Sequence, residues 1–194
     1  MIWAKRNNER VLAKPNTIAT CPICEEELIS KCGEIKVWHW SHKIDSSCNY
    51  WGEPESQWHI DWKEKFPKEW QEVRMMPHIA DIKTKTGLVI ELQNSSIFFG
   101  TIIERERFYK NMIWILSPRL TENIQIRPKE GNYCTFRWKW PPQSWWEAKK
   151  PIYLDLPETN QLFLIKKIYL HTPCGGWGYL ISKPKFIEAR GGTP

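Results

Sequence analysis

Between Pro77 and Gln93 the apolar positions follow a two-residue period, Ala80 and Ile82 first, then Leu88, Ile90 and Leu92. Lys85, Thr86 and Gly87 separate the two runs, and the glycine supplies the left-handed residue that a three-residue hairpin loop needs. The pattern predicts a hairpin with Thr84 facing Leu88, Ile82 facing Ile90 and Asp81 facing Glu91. A slip of one residue would bury Glu91 beside Ile82, so the faces select this register. Asp81, Glu91 and Gln93 then share the face opposite the apolar one. Residues 69–76 read as a preceding strand. Upstream, Trp58, Trp62 and Phe66 recur at helical spacing, with Pro54 suited to the first turn and Pro67 ending the helix. Downstream, Thr101 and Glu104 have the form of a capping box for a second helix running to about residue 110. The apolar run 112–116 is a buried strand. The order is helix, three strands, helix, strand.

The flanks are patterned differently. Val11, Leu12 and Ile18 suggest a short strand pair turning at Pro15 and Asn16, and residues 29–38 a hairpin reversing at Gly33. Residues 119–194 are proline-rich and read as irregular, with strands at 166–170 and 177–181 turning through Pro173, Cys174, Gly175 and Gly176. Aromatic and basic residues alternate from Phe136 through Arg137, Trp138 and Lys139 to Trp140. Such alternation fits a single-strand stacking platform, with Arg137 and Lys139 on phosphates, but also a strand with one buried face.

Composition narrows the picture. The 194 residues are 41% hydrophobic, enough for a core, and contain thirteen tryptophans. No stretch has the length and apolarity of a membrane span, and no apolar signal-peptide core is present, so a cytoplasmic protein is expected. Net charge is +6, and residues 121–194 hold 11 Lys/Arg against 6 Asp/Glu, an excess that favours a polyanionic partner.

Two groups of residues carry chemistry. Cys21 and Cys24 form Cys-x₂-Cys, with His39 and His42 downstream, a spacing that suits a closed tetrahedral zinc site. Cys32 and Cys48 are spare, and Cys48 could replace one histidine. A redox reading lacks the βαβ context such a pair normally has. The second group is the hairpin. Like charges on directly opposed strand positions repel, unless a hard cation such as Mg²⁺ or Mn²⁺ sits between them. A solvated polar face is the alternative. On the first helix Glu55, His59 and Lys63 recur every fourth residue and share a face, either as a solvated edge or as part of a site.

Taken together, these features resemble the CoiA-like competence family within the PD-(D/E)xK nuclease superfamily. The resemblance rests on Cys21-Pro22-x-Cys24, Trp38-His39-Trp40-Ser41-His42, Glu55-Ser56-x-x-His59-x-x-x-Lys63, Ala80-Asp81 and Ile90-Glu91-Leu92-Gln93-x-Ser95-x-Ile97. Arg105-x-x-x-Tyr109 and Trp114-Ile115-Leu116 complete it, so that it spans about residues 17–117. It implies an α/β (α+β) protein with a restriction-endonuclease-like αβββαβ core at 53–118. A zinc-binding β module would occupy 1–52 and a β-rich extension 119–194. It further implies DNA as partner, in competence, recombination or defence, with recombination proteins nearby. Asp81 and Glu91 carry over as Mg²⁺ or Mn²⁺ ligands. Gln93 stands where the superfamily often has lysine, and His78 where an arginine is expected. Lys63 is the candidate for the missing lysine, Glu55 for an added metal ligand and His59 for orienting water. Arg105 and Tyr109 would brace the helix or grip phosphates. The competing readings are a DNA-binding accessory protein that cleaves little and a zinc-bearing adaptor for another protein.

Overall fold

Five short strands open the chain: β1 (Trp3–Arg6), β2 (Glu9–Leu12), β3 (Ile18–Thr20), β4 (Glu27–Lys31) and β5 (His39–His42). In the computed structural model, which describes residues 1–43, 48, 55–169 and 174–194, they form an antiparallel sheet in the order β2-β1-β3-β4-β5. β2 therefore pairs with β1, not with β3 across Pro15 and Asn16 as its sequence suggests. Asn7 and Asn8, with φ of 51° and 65°, make the tight primed-type turn that favours this hairpin. Leu28, Trp40, Ala4, Ala19 and Cys21 form a small core. The Trp40 indole N–H donates to the Val11 carbonyl at 3.0 Å.

α1 (Gln57–Lys63) follows, and its expected beginning at Glu53 and Pro54 lies outside the described residues. A 3₁₀ turn over Lys68–Trp70 leads into β6 (Gln71–Met75), which pairs antiparallel with β7 (His78–Lys83), Val73 opposite Ala80. These elements and the five-stranded sheet make up the first of two units, Met1–Lys83.

The second unit, Thr84–Pro194, begins with the expected loop. The Thr84 N–H donates to the Leu88 carbonyl at 2.9 Å, and Gly87 has a φ of 79°. β8 (Val89–Gln93) is buried throughout, as its apolar run suggested. α2 (Phe99–Tyr109) starts two residues before the expected capping box, so Thr101 and Glu104 lie inside the helix. α2 links β8 to β9 (Met112–Leu116), which run parallel, the usual helical crossover.

Beyond α3 (Pro118–Thr121) come β10 (Ile124–Pro128), β11 (Tyr133–Trp138), β12 (Ile152–Leu156), β13 (Gln161–Tyr169), β14 (Gly175–Ser182) and α4 (Lys183–Glu188). The region expected to be irregular thus builds most of a mixed sheet, ordered β10-β11-β14-β13-β12-β9-β8. Cys134, Phe136 and Trp138 of β11 are buried while Arg137 is exposed, so the alternation there marks a strand with one buried face. β13 and β14 pair antiparallel as anticipated, but in a different register: Lys167 lies opposite Trp177, residues 178–181 lie opposite 162–165, and Gly175 and Gly176, expected in the turn, are strand residues opposite Tyr169 and Ile168. The expected turn at Pro173 lies outside the described residues. The fold is α+β, with a small N-terminal strand module and a larger mixed sheet.

Candidate metal centre and buried carboxylates

The N-terminal module brings Cys21, Cys24, His42 and Cys48 together, all four ligand atoms lying within 4.8 Å of one another. Cys21 and Cys24 flank the turn after β3, and His42 ends β5. Cys21 Sγ is 3.9 Å from Cys48 Sγ, and Cys24 Sγ is 3.2 Å from His42 Nε2. Tetrahedral zinc with Zn–S of about 2.3 Å spaces its sulfurs about 3.8 Å apart, so the donor set fits such an ion. The four can hold a metal such as zinc.

His39 is the correction. Its Nδ1 lies 2.7 Å from the Val37 carbonyl, and Cys48 takes the place expected for it. The reason is parity. His39 and His42 are three residues apart on one strand, and odd separations fall on opposite faces. Burial pushes the Cys21 thiol up and, together with Cys24 and Cys21, raises Cys48 to about 12. Burial also lowers His42, which favours the neutral imidazole a metal requires.

The same unit contains a second cluster, centred on Lys63. This lysine is 1% exposed, and its Nζ lies 2.8 Å from Glu55 Oε1, 2.9 Å from Glu72 Oε1 and 3.4 Å from Asp81 Oδ1. The face shared by Glu55, His59 and Lys63 is therefore turned inward rather than solvated. His59 is also buried, with its Nδ1 2.8 Å from the Ser56 hydroxyl at the start of α1. Sequence reasoning missed Glu72. It sits on β6 with a left-handed φ of 44°, and its two oxygens accept from the Ile2 and Trp3 amides at 2.8 and 2.9 Å. Nothing in a strand-like stretch announces a carboxylate held this way.

Three carboxylates around one ammonium leave an excess of negative charge in a poorly solvated place. Burial opposes the charge on Lys63, but Glu72, Glu55 and Asp81 outweigh it and hold its pKa well above the ordinary value. Glu72, despite its burial, is held below the usual carboxylate range by Lys63. Glu55 absorbs the imbalance. Burial, together with Glu72 and Asp81 and against the pull of Lys63, raises its pKa to about 7. Its Oε2 is buried and, among the described residues, has no hydrogen-bond partner. Asp81 is the most accessible of the three carboxylates, with its side chain 23% exposed.

In the second unit Glu91 is buried on β8, and its Oε2 accepts from Arg105 on α2 at 2.8 Å. Gln93 is buried two residues on. Its amide nitrogen donates to the Ser95 carbonyl, while its Oε1 has no partner among the described residues. Arg105 and Tyr109 are both about 5% exposed, which suits bracing α2 better than gripping phosphate. Arg137 and Lys139 are exposed, Lys139 Nζ lying 4.2 Å from the centre of the Trp140 ring. A further carboxylate that the sequence did not single out, Glu106, accepts from the Trp114 indole and from the amides of Lys149 and Lys150.

Residues 5–51 match the model of the competence protein CoiA N-terminal domain. The match makes this N-terminal segment similar to that domain. All four metal-site residues lie in this CoiA-like segment, whereas the Lys63 cluster and Glu91 lie beyond it. Neither the curated proteins nor the solved structures yield a match. Among the described residues, no helix is long and apolar enough to cross a membrane.

Proposed function

We propose that the protein is a divalent-metal-dependent deoxyribonuclease of the CoiA-like type, with a structural zinc module and a restriction-endonuclease-like core, acting in DNA processing such as competence or recombination. The observation that carries the reading is the Lys63 cluster: Glu55, Glu72 and Asp81 on one ammonium, with Glu55 Oε2 buried and unpartnered among the described residues. Such excess negative charge suits a hard cation, which carboxylates and carbonyl oxygens bind. Within the first unit Asp81 and Glu55 are the proposed Mg²⁺ or Mn²⁺ ligands, and Glu91 and the Gln93 carbonyl oxygen, which belong to the second unit, are the further ligands that the CoiA-like resemblance implies. A bound dication would neutralise charge developing on the phosphodiester and make its water more acidic.

The chain's own residues then divide the work. Lys63 holds Glu55 and Asp81 in place, and its complete burial suits that role better than contact with phosphate. Glu72, fixed by the Ile2 and Trp3 amides, anchors Lys63 in turn. Glu55 supplies a further carboxylate oxygen to the metal shell, where a dication would draw it into its charged form. The buried Arg105–Glu91 pair favours the second reading, a DNA-binding recombination accessory with a weak site, because a cation at Glu91 has to compete with a guanidinium. Cleavage of labelled single-stranded and duplex DNA with Mg²⁺ or Mn²⁺, abolished by EDTA, separates the two. DNA binding without metal-dependent cleavage would establish the accessory reading.

A further inference from the structure

The second unit has a groove of about 680 Å³ between the segment leading into β12 and the exposed side of β13. Lys149 and Lys150 line it from the β12 side and Lys166 and Lys167 from β13; among the described residues no carboxylate lines it, though exposed Glu147, outside the lining, has its Oε2 3.9 Å from Lys149 Nζ. Its floor is apolar, with Leu164, Ile165 and Ile168 only partly buried, and Trp146 contributes a partly exposed indole. Two features build this arrangement. The β13–β14 register shifts between Ile165 and Lys167, and a bulge there interrupts the strict alternation of faces that would send successive lysines to opposite sides. On the opposite rim, Glu106 accepts from the backbone amides of both Lys149 and Lys150, fixing the main chain from which those side chains extend.

We infer that this groove binds single-stranded DNA. Four ammonium groups match a phosphate backbone, Lys149 exchanging its long, exposed contact with Glu147 for phosphate, and the volume exceeds what a lone anion fills. The apolar floor and the indole select the form of the nucleic acid. Only unpaired bases can lay apolar faces on Leu164 and Ile168 or stack on Trp146, whereas a duplex offers phosphates and buries its base faces. The groove deepens the nuclease reading by naming the strand the protein holds. It shares no residue with the metal sites, so binding and cleavage can fail separately.

The test is fluorescence anisotropy of the full chain with labelled oligo(dT) in Mg²⁺- and Mn²⁺-free buffer, as a function of salt. Lys166→Ala/Lys167→Ala and Lys149→Ala/Lys150→Ala should each weaken binding about tenfold or more at low salt. Each should also flatten the log–log salt slope by about 1.4, at roughly 0.7 per phosphate contact on a single strand. Trp146→Ala should weaken binding about fivefold or more, and should leave the slope unchanged. Heparin and a hairpin-free duplex of equal charge should compete poorly. The inference is overturned if wild type does not bind, if the lysine pairs leave affinity and slope unchanged, or if Arg137→Ala/Lys139→Ala alone abolishes binding. Equal binding of heparin, with no effect of Trp146→Ala, would also overturn it, by showing a generic polyanion patch. Circular dichroism of each variant confirms that the substitutions leave the fold intact.

Discussion

Glu55 shows how one residue can be tuned by its neighbours. Its carboxyl titrates near 7 because burial and the Glu72 and Asp81 charges together outweigh the attraction of Lys63. A pKa raised on folding means the native state binds the proton more tightly. The associated stability is complete below the ordinary value and lost as pH rises through about 7. Glu72 works in the opposite sense, its contribution being present above the ordinary carboxylate value and lost in acid. The wild-type melting temperature should therefore fall, relative to Glu55→Gln, between about pH 5 and 8 in Mg²⁺- and Mn²⁺-free buffer. Parallel melting curves across that interval would show that Glu55 carries its charge at no cost. The metal centre gives a second residue-scale contrast. His42→Ala should lose bound zinc and destabilise the module, while His39→Ala should keep its zinc, both read by metal analysis of the purified protein. Zinc lost from His39→Ala and retained in His42→Ala would reverse the assignment. The choice of Cys48 over His39 was open in the sequence. Strand parity on β5 would have decided it, had the hairpin leading to the histidines been continued through them.

At the scale of elements, most of what the sequence offered was period. The buried run of β8, the three-residue loop at Gly87, the β6–β7 pair and the apolar β9 follow directly from alternation and turn chemistry. The C-terminal strands were harder to read. Prolines and glycines there resemble a loop, but Gly176 and Gly178 are strand residues that let β14 approach β13 closely. A Cβ on either would run into the carbonyl oxygen of Lys167 or of Leu164. Gly178→Ala should consequently cost about 1–3 kcal/mol, the range for forced overpacking, seen as a lower urea midpoint at unchanged slope. An unchanged midpoint would mean that the strands separate without loss. Tertiary partners were the least legible. Glu72, Glu106 and the Arg105–Glu91 pair depend on contacts 8 to 70 residues apart in sequence, which no local pattern encodes.

For the molecule as a whole the proposed substrate is DNA, a reading supported by positive charge, a CoiA-like N-terminal segment, carboxylates gathered on a buried lysine and a lysine-lined groove. The account stands or falls on whether that substrate is cut. The most direct measurement compares wild type with Asp81→Asn in cleavage of end-labelled single-stranded DNA, with Mg²⁺ and then Mn²⁺. Wild type should cleave only with the metal, and Asp81→Asn should be slower by orders of magnitude, each tenfold corresponding to about 1.4 kcal/mol of lost transition-state stabilisation. Its metal-free melting temperature should be no lower, because the substitution removes one of three crowded carboxylates. Metal-dependent cleavage that persists undiminished in Asp81→Asn would contradict the account.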